Sequence, residues 1–121
     1  MSNCMIVRKH GQGIKREKIN LYSQTSPCYT FKHDGYAFLY LQLDNDTGSN
    51  KIYRGYANIE HSDGTSQKIF SQEGSNTDTK THTQDSIAIK KGDKITFGGT
   101  PTENNGKVFM NKNSYGYIYY I

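Results

Sequence analysis

Tyr115-Gly116-Tyr117-Ile118-Tyr119-Tyr120-Ile121 is the stretch whose reading decides the fold. Aromatic and β-branched residues crowd into it around a single glycine, and such residues favour strands. The stretch is apolar on both faces, so a strand made from it needs cover on both. Left exposed, a strand of that kind pairs with further copies and aggregates. The arrangement that removes the hazard holds it inside a sheet, with one face on the domain core and the other on a partner subunit. That points to an obligate oligomer of a small β-sandwich and away from an enzyme with a deep cleft.

The 121 residues make one domain. Hydrophobic residues are 33% of them, below the roughly 45–50% (glycine included) of ordinary globular chains. The core is therefore thin, and burial between subunits is its natural supplement. Tyrosine is the main apolar resource, with ten Tyr, five Phe and no Trp. A tyrosine packs its ring while its hydroxyl reaches water or a partner, which suits half-wet interfaces.

The formal net charge is +4. Arg8, Lys9, Lys15, Arg16 and Lys18 cluster early and read as a solvated arm, with a nucleic-acid contact or a docking arm as sharper readings. The rest of the chain is close to neutral, so a basic groove is not indicated. Cys4 and Cys28 lack metal-ligand spacing and read as ordinary thiols ahead of a single Cys4–Cys28 bond. No run reaches the ~18 apolar residues of a membrane span, so membrane insertion is not expected. The apolar piece at 4–7 is too short for a signal-peptide core. Secretion by the standard route is not expected, and release by other means, such as lysis, stays open.

Strand patterns recur roughly every ten residues with turn signals between them. Residues 1–18 read as irregular, with one short strand at 4–8. Strands follow at 19–24, 28–32, 36–43, 52–60, 67–72, 86–90, 94–97, 107–110 and 115–121. In 36–43, Tyr36, Phe38 and Tyr40 take one face, and Ala37, Leu39, Leu41 and Leu43 take the other. Both sets are apolar, so this strand too is expected to be buried on both sides. The polar stretch 73–84 reads as a loop or a wet edge strand, and 98–106 as a long loop. About nine strands and no helix result, in one domain at 28–121 preceded by an attachment arm at 1–27 that carries the first strands.

Three pieces resemble a known family. They are Tyr29-Thr30-Phe31 with Asp34-Gly35-Tyr36-Ala37-Phe38, then Ile87-Ala88-Ile89-Lys90-Lys91-Gly92-Asp93-Lys94-Ile95, then Ser114 to Tyr120. Their order and spacing resemble the jelly roll shared by complement globular heads and tumour-necrosis-factor-like proteins. Small jelly rolls of this kind also occur at bacteriophage fibre tips and as capsid decoration. The resemblance implies an all-β antiparallel sandwich of about 8–10 strands, with first and last strands side by side in the inner sheet. It implies a homotrimer closed around terminal-strand aromatics, binding at outer loops and no catalysis. Tyr115, Tyr117, Tyr119, Tyr120 and Phe97 are the expected trimer-interface residues. The chain lacks a collagen repeat and a membrane anchor, so a phage or other microbial surface protein fits better.

Catalytic chemistry finds little support. His10, His33, His61 and His82 make no paired zinc motif. Asp44-Asn45-Asp46 resembles part of a calcium loop, but Gly55 stands where the twelfth-position Glu would be. There is no Gly-x-Ser-x-Gly, Cys28 has no marked His partner, and Lys91-Gly92-Asp93 is not a phosphate loop. No cofactor, metal site or catalytic residue is expected. Asp44, Asn45, Asp46, Asn50, Asn104 and Asn105 are candidates for loop contacts with a glycan or receptor, since amides and carboxylates take sugar hydroxyls.

The expected function is thus a structural and adhesive virion module that trimerises, is attached to a virion protein or fibre stalk through 1–27, and is found on the virion or outside the cell. The alternative is a bacterial lectin-like or cytokine-like binding module. A β-barrel for single-stranded nucleic acid ranks last.

Overall fold

The computed structural model describes residues 13–45, 52–75, 79–100 and 108–121. Nine strands run through them: β1 Lys15–Asn20, β2 Tyr29–Thr30, β3 Gly35–Asn45, β4 Ile52–Glu60, β5 Ser66–Ser75, β6 Lys80–Ile89, β7 Lys94–Thr100, β8 Val108–Met110 and β9 Tyr115–Tyr120. No helix occurs among the described residues. One sheet has the order β1-β9-β3-β6, with β8 paired to β3, and the other has the order β2-β7-β4-β5. Every pairing is antiparallel. The chain passes repeatedly from one sheet to the other, and its first and last strands end as neighbours. That is jelly-roll connectivity.

The period-two pattern of β3 decides which face is inside. Ala37, Leu39, Leu41 and Leu43 are fully buried, while Tyr36, Phe38 and Tyr40 on the opposite face are half-buried. From the second sheet, Ala57, Ile59, Phe70, Ile95 and Phe97 meet them, with Phe31 just after β2, and Ile19, Leu21, Ile87, Met110 and Ile118 are also in the core. Each such side chain contributes about 1.5–3 kcal/mol by leaving water. Gly116 is what lets β9 lie close on β3, because a Cβ there would stand 2.7 Å from the Phe38 carbonyl oxygen and 3.0 Å from a Leu39 methyl.

Several expected boundaries move. The charged stretch Lys15–Lys18 is not irregular but forms β1, because β9 supplies the ladder that its own composition does not ask for. The 4–8 strand lies outside the described residues. The polar stretch 73–84 divides into the end of β5 and the start of β6. Thr81, Thr83 and Asp85 are exposed there, so β6 is the wet edge strand, and it continues through a register shift at Asp85 and Ser86 into the expected strand at 86–90. Phe97, expected at a subunit contact, points inward and is 7% exposed. It shares the inward side of β7 with Ile95, two residues away.

Candidate functional site: the outer aromatic face

Strands β3 and β9 stack two rows of aromatic rings on the outside of the first sheet. In register, Tyr36 lies opposite Tyr119, Phe38 opposite Tyr117, and Tyr40 opposite Tyr115. The strands place these rings on one face because their odd and even positions divide the work: inward residues fill the core, outward ones are aromatic. The Tyr40 and Tyr115 ring centroids are 5.4 Å apart, those of Phe38 and Tyr115 6.1 Å, of Phe38 and Tyr117 6.4 Å, and of Tyr115 and Tyr117 5.9 Å. These tilted and edge-on contacts are the geometries that ring quadrupoles favour. All six residues are half-buried in the single chain.

Cations flank the rows. The β1 edge places the Arg16 guanidinium 4.9 Å from the Tyr117 ring centroid and the Lys18 ammonium 5.1 Å from that of Tyr115. Both fall within the ~6 Å reach of a cation–π contact. At the far end of β9, Tyr120 leaves the outer face. Its ring packs against the core cluster and stacks on His33 with centroids 3.8 Å apart. Of the five residues expected at a subunit contact, Tyr115, Tyr117 and Tyr119 share the outer face, while Tyr120 and Phe97 do not.

The outer face of the second sheet has another character. Arg54 pairs with Glu73 at 3.2 Å. Asn58 lies opposite Lys68 on one side and Thr96 on the other, and Glu60 lies opposite Lys94. Tyr56 is the one ring there among the described side chains, and it lies over Gly98, where a Cβ would meet its hydroxyl at 2.5 Å.

The expected ligand-loop residues divide. Asp44 is half-buried and already engaged within the chain, accepting hydrogen bonds from the Thr79 hydroxyl at 2.6 Å and the Asn111 amide at 2.7 Å. Asn45 ends β3, with its backbone opposite Val108. Asp46, Asn50, Asn104 and Asn105 lie outside the described residues. Among the described residues no three His, Cys, Asp or Glu side chains converge to hold a metal ion. Cys28 carries a free thiol that burial pushes up to about 12; Cys4 lies outside the described residues.

Sequence reasoning missed one polar constellation. Asp93, read as a hairpin turn, is 1% exposed. Its carboxylate accepts hydrogen bonds from the Lys90 amide at 2.9 Å, from His61 Nδ1 at 2.9 Å and from the Ser62 amide at 3.1 Å. Burial works against its charged form, yet these three donors prevail and hold its carboxyl below the usual value. No local signal joins His61 to Asp93; only the pairing of β4 with β7 does.

No family model matches the chain, and no curated protein matches its sequence. Among solved structures, the Eiger TNF of S. frugiperda is similar, with a TM-score of 0.51 over 90% of this chain and 85% of that chain, at 10% sequence identity. A likeness at that identity concerns the fold alone: the chain is an all-β sandwich similar to a tumour-necrosis-factor-like jelly roll.

Proposed function

We propose that this protein is a non-catalytic jelly-roll module that assembles as a homotrimer through the outer face of its β1-β9-β3-β6 sheet, and that its work is structural and adhesive. The contrast between the two outer faces carries the reading. One is polar and salt-bridged, as a solvated face should be. The other presents six neighbouring aromatic residues that stay only half-buried, flanked at the β1 edge by Arg16 and Lys18. Soluble monomers rarely leave apolar patches above a few hundred Å² in water, and each such ring buries roughly 150–250 Å² when covered. The family resemblance supplies the threefold arrangement. The inert Cys28 thiol supports the absence of nucleophilic catalysis.

The setting we propose is a viral particle, as a fibre tip or capsid decoration, with the loops turned to a host-surface glycan or receptor. The polar, Asn-, Ser-, Thr- and Tyr-rich composition supports it. Attachment to a virion protein or fibre stalk is through residues 1–27 in this reading, of which Lys15–Asn20 are also built into the sheet as β1. Light scattering tests the assembly. A mass three times that of the chain is expected; a monomer or dimer at micromolar concentration overturns the threefold closure.

The Arg16 and Lys18 contacts favour a second reading of the same face, a stacking platform for single-stranded nucleic acid. It requires the face to be open, so it predicts a monomer whose affinity for an oligonucleotide falls steeply with salt.

A further inference from the structure

We infer that the end of the sandwich where β3 begins and β4 ends carries a binding depression for a neutral saccharide, lined by Asp34, Tyr36, His61, Asp63, Gln67 and Lys90 of one copy. The cavity there holds about 570 Å³, enough for one or two sugar rings on the usual scale of ligand pockets.

Its walls are held rigidly. Asp93 binds the β4–β5 turn through His61 and the Ser62 amide, and the β6–β7 turn through the Lys90 amide. The Gly92 amide donates to the Phe31 carbonyl at 2.9 Å, and the Phe31 amide to the Asp93 carbonyl at 2.8 Å. The Lys91 amide donates to Asp34 Oδ1 at 2.9 Å. Three chain segments are thereby tied together around the depression before any ligand arrives. Such preorganisation lowers the entropy cost of binding.

The chemistry of the lining selects the ligand class. A carboxylate only accepts hydrogen bonds, so Asp93 fixes His61 with its proton on Nδ1 and leaves Nε2 as an acceptor when the ring is neutral. Asp34 and Asp63 each engage one oxygen, Asp63 through the Thr65 amide at 2.9 Å and the Thr65 hydroxyl at 2.6 Å. Their second oxygens have no hydrogen-bond partner among the described residues, nor have the Tyr36 hydroxyl, the Gln67 amide and the Lys90 ammonium. Acceptors and donors thus line one depression together with half-buried Tyr36. Sugar hydroxyls both donate and accept, and sugar rings have apolar faces that pack on tyrosine. An anion is disfavoured, since three carboxylates face one ammonium. A metal ion is not served, since no three ligands converge among the described residues.

This rests on the adhesive half of the proposed function; one copy supplies every residue, and Tyr36, at the end of the outer aromatic face, is the one lining residue shared with the proposed subunit contact. The test is a titration of the full chain, in its native assembly state, with methyl glycosides of glucose, galactose and mannose and with N-acetylglucosamine. It is followed by backbone amide NMR at millimolar sugar. At least one sugar is expected to shift the amides of Asp34, His61, Ser62 and Lys90 in a saturable manner. Gln67→Ala and Lys90→Ala, both exposed and outside the Asp93 hydrogen bonds made by side chains, are each expected to weaken it about fivefold with the melting temperature unchanged. Failure of every sugar to shift those amides overturns the inference. So do shifts confined to the opposite end, or equal affinity in both variants. A monomeric protein that still binds the sugar would overturn the trimer alone.

Discussion

His61 and Asp93 lie 32 positions apart and meet through a 2.9 Å hydrogen bond, fastening the β4–β5 turn to the β6–β7 turn. The buried carboxylate satisfies two backbone amides as well. Asp93→Ala leaves three donors without their acceptor, each in a partly desolvated setting. It is expected to lower unfolding free energy by about 3 kcal/mol, measured by urea denaturation; a change below about 1 kcal/mol would remove Asp93 as the pin.

The same carboxylate sets an acid limit on stability. Its folded-state value is depressed, so the unfolded chain takes up the proton first as pH falls. The contribution is complete above the ordinary Asp value of about 3.9 and is lost as pH drops from there through the folded value. Wild type is expected to lose stability more steeply than Asp93→Asn below about pH 4. Parallel curves for the two proteins would contradict this.

Gly116 has no room for a side chain beside the Phe38 carbonyl. Gly116→Ala is expected to force β9 away from β3 and to cost about 1–3 kcal/mol. Denaturant midpoints of the two proteins check it, and an unchanged midpoint would show that the strands give way freely.

Tyr119→Asp places a charge on the outer aromatic face. Desolvating that charge between subunits costs several kcal/mol, so the variant is expected to run as a folded monomer in light scattering. Asn58→Asp, on the polar face of the second sheet, is expected to keep the wild-type mass. Retained assembly in Tyr119→Asp would move this residue out of the contact.

Cys28 should resist alkylation in the native protein. With burial pushing its thiol up to about 12, the thiolate fraction at pH 8 is about one in ten thousand. Iodoacetamide labelling followed by peptide mass mapping is expected to modify Cys28 only when denaturant is added. Rapid native labelling would place the thiol in an open environment.

Much of the sandwich was legible along the chain because alternation is a local property. The Ala37-Leu39-Leu41-Leu43 set and the Tyr36-Phe38-Tyr40 set could be assigned to opposite faces without knowing any neighbour. The same rule read on β7 puts Phe97 with Ile95 on the inner side; the expectation of an interface role overlooked it. Tyr120 was harder, since the consecutive pair Tyr119-Tyr120 must split between faces, and which member goes inward depends on register with β3. β1 was illegible as far as Lys18, because Lys15-Arg16-Glu17-Lys18 has no strand signature of its own.

From its order of residues alone, this protein reads as an all-β chain whose last strand is apolar on both faces. That follows from short-range periodicity and propensity, which need no partner to be read. Only the tertiary structure decided that β1 covers the edge of β9 with cations, that the aromatic rows of β3 and β9 merge into one face, and that His61 reaches Asp93. Those relationships are pairings between residues distant in sequence, set by register and by how two sheets pack, and no local pattern encodes them.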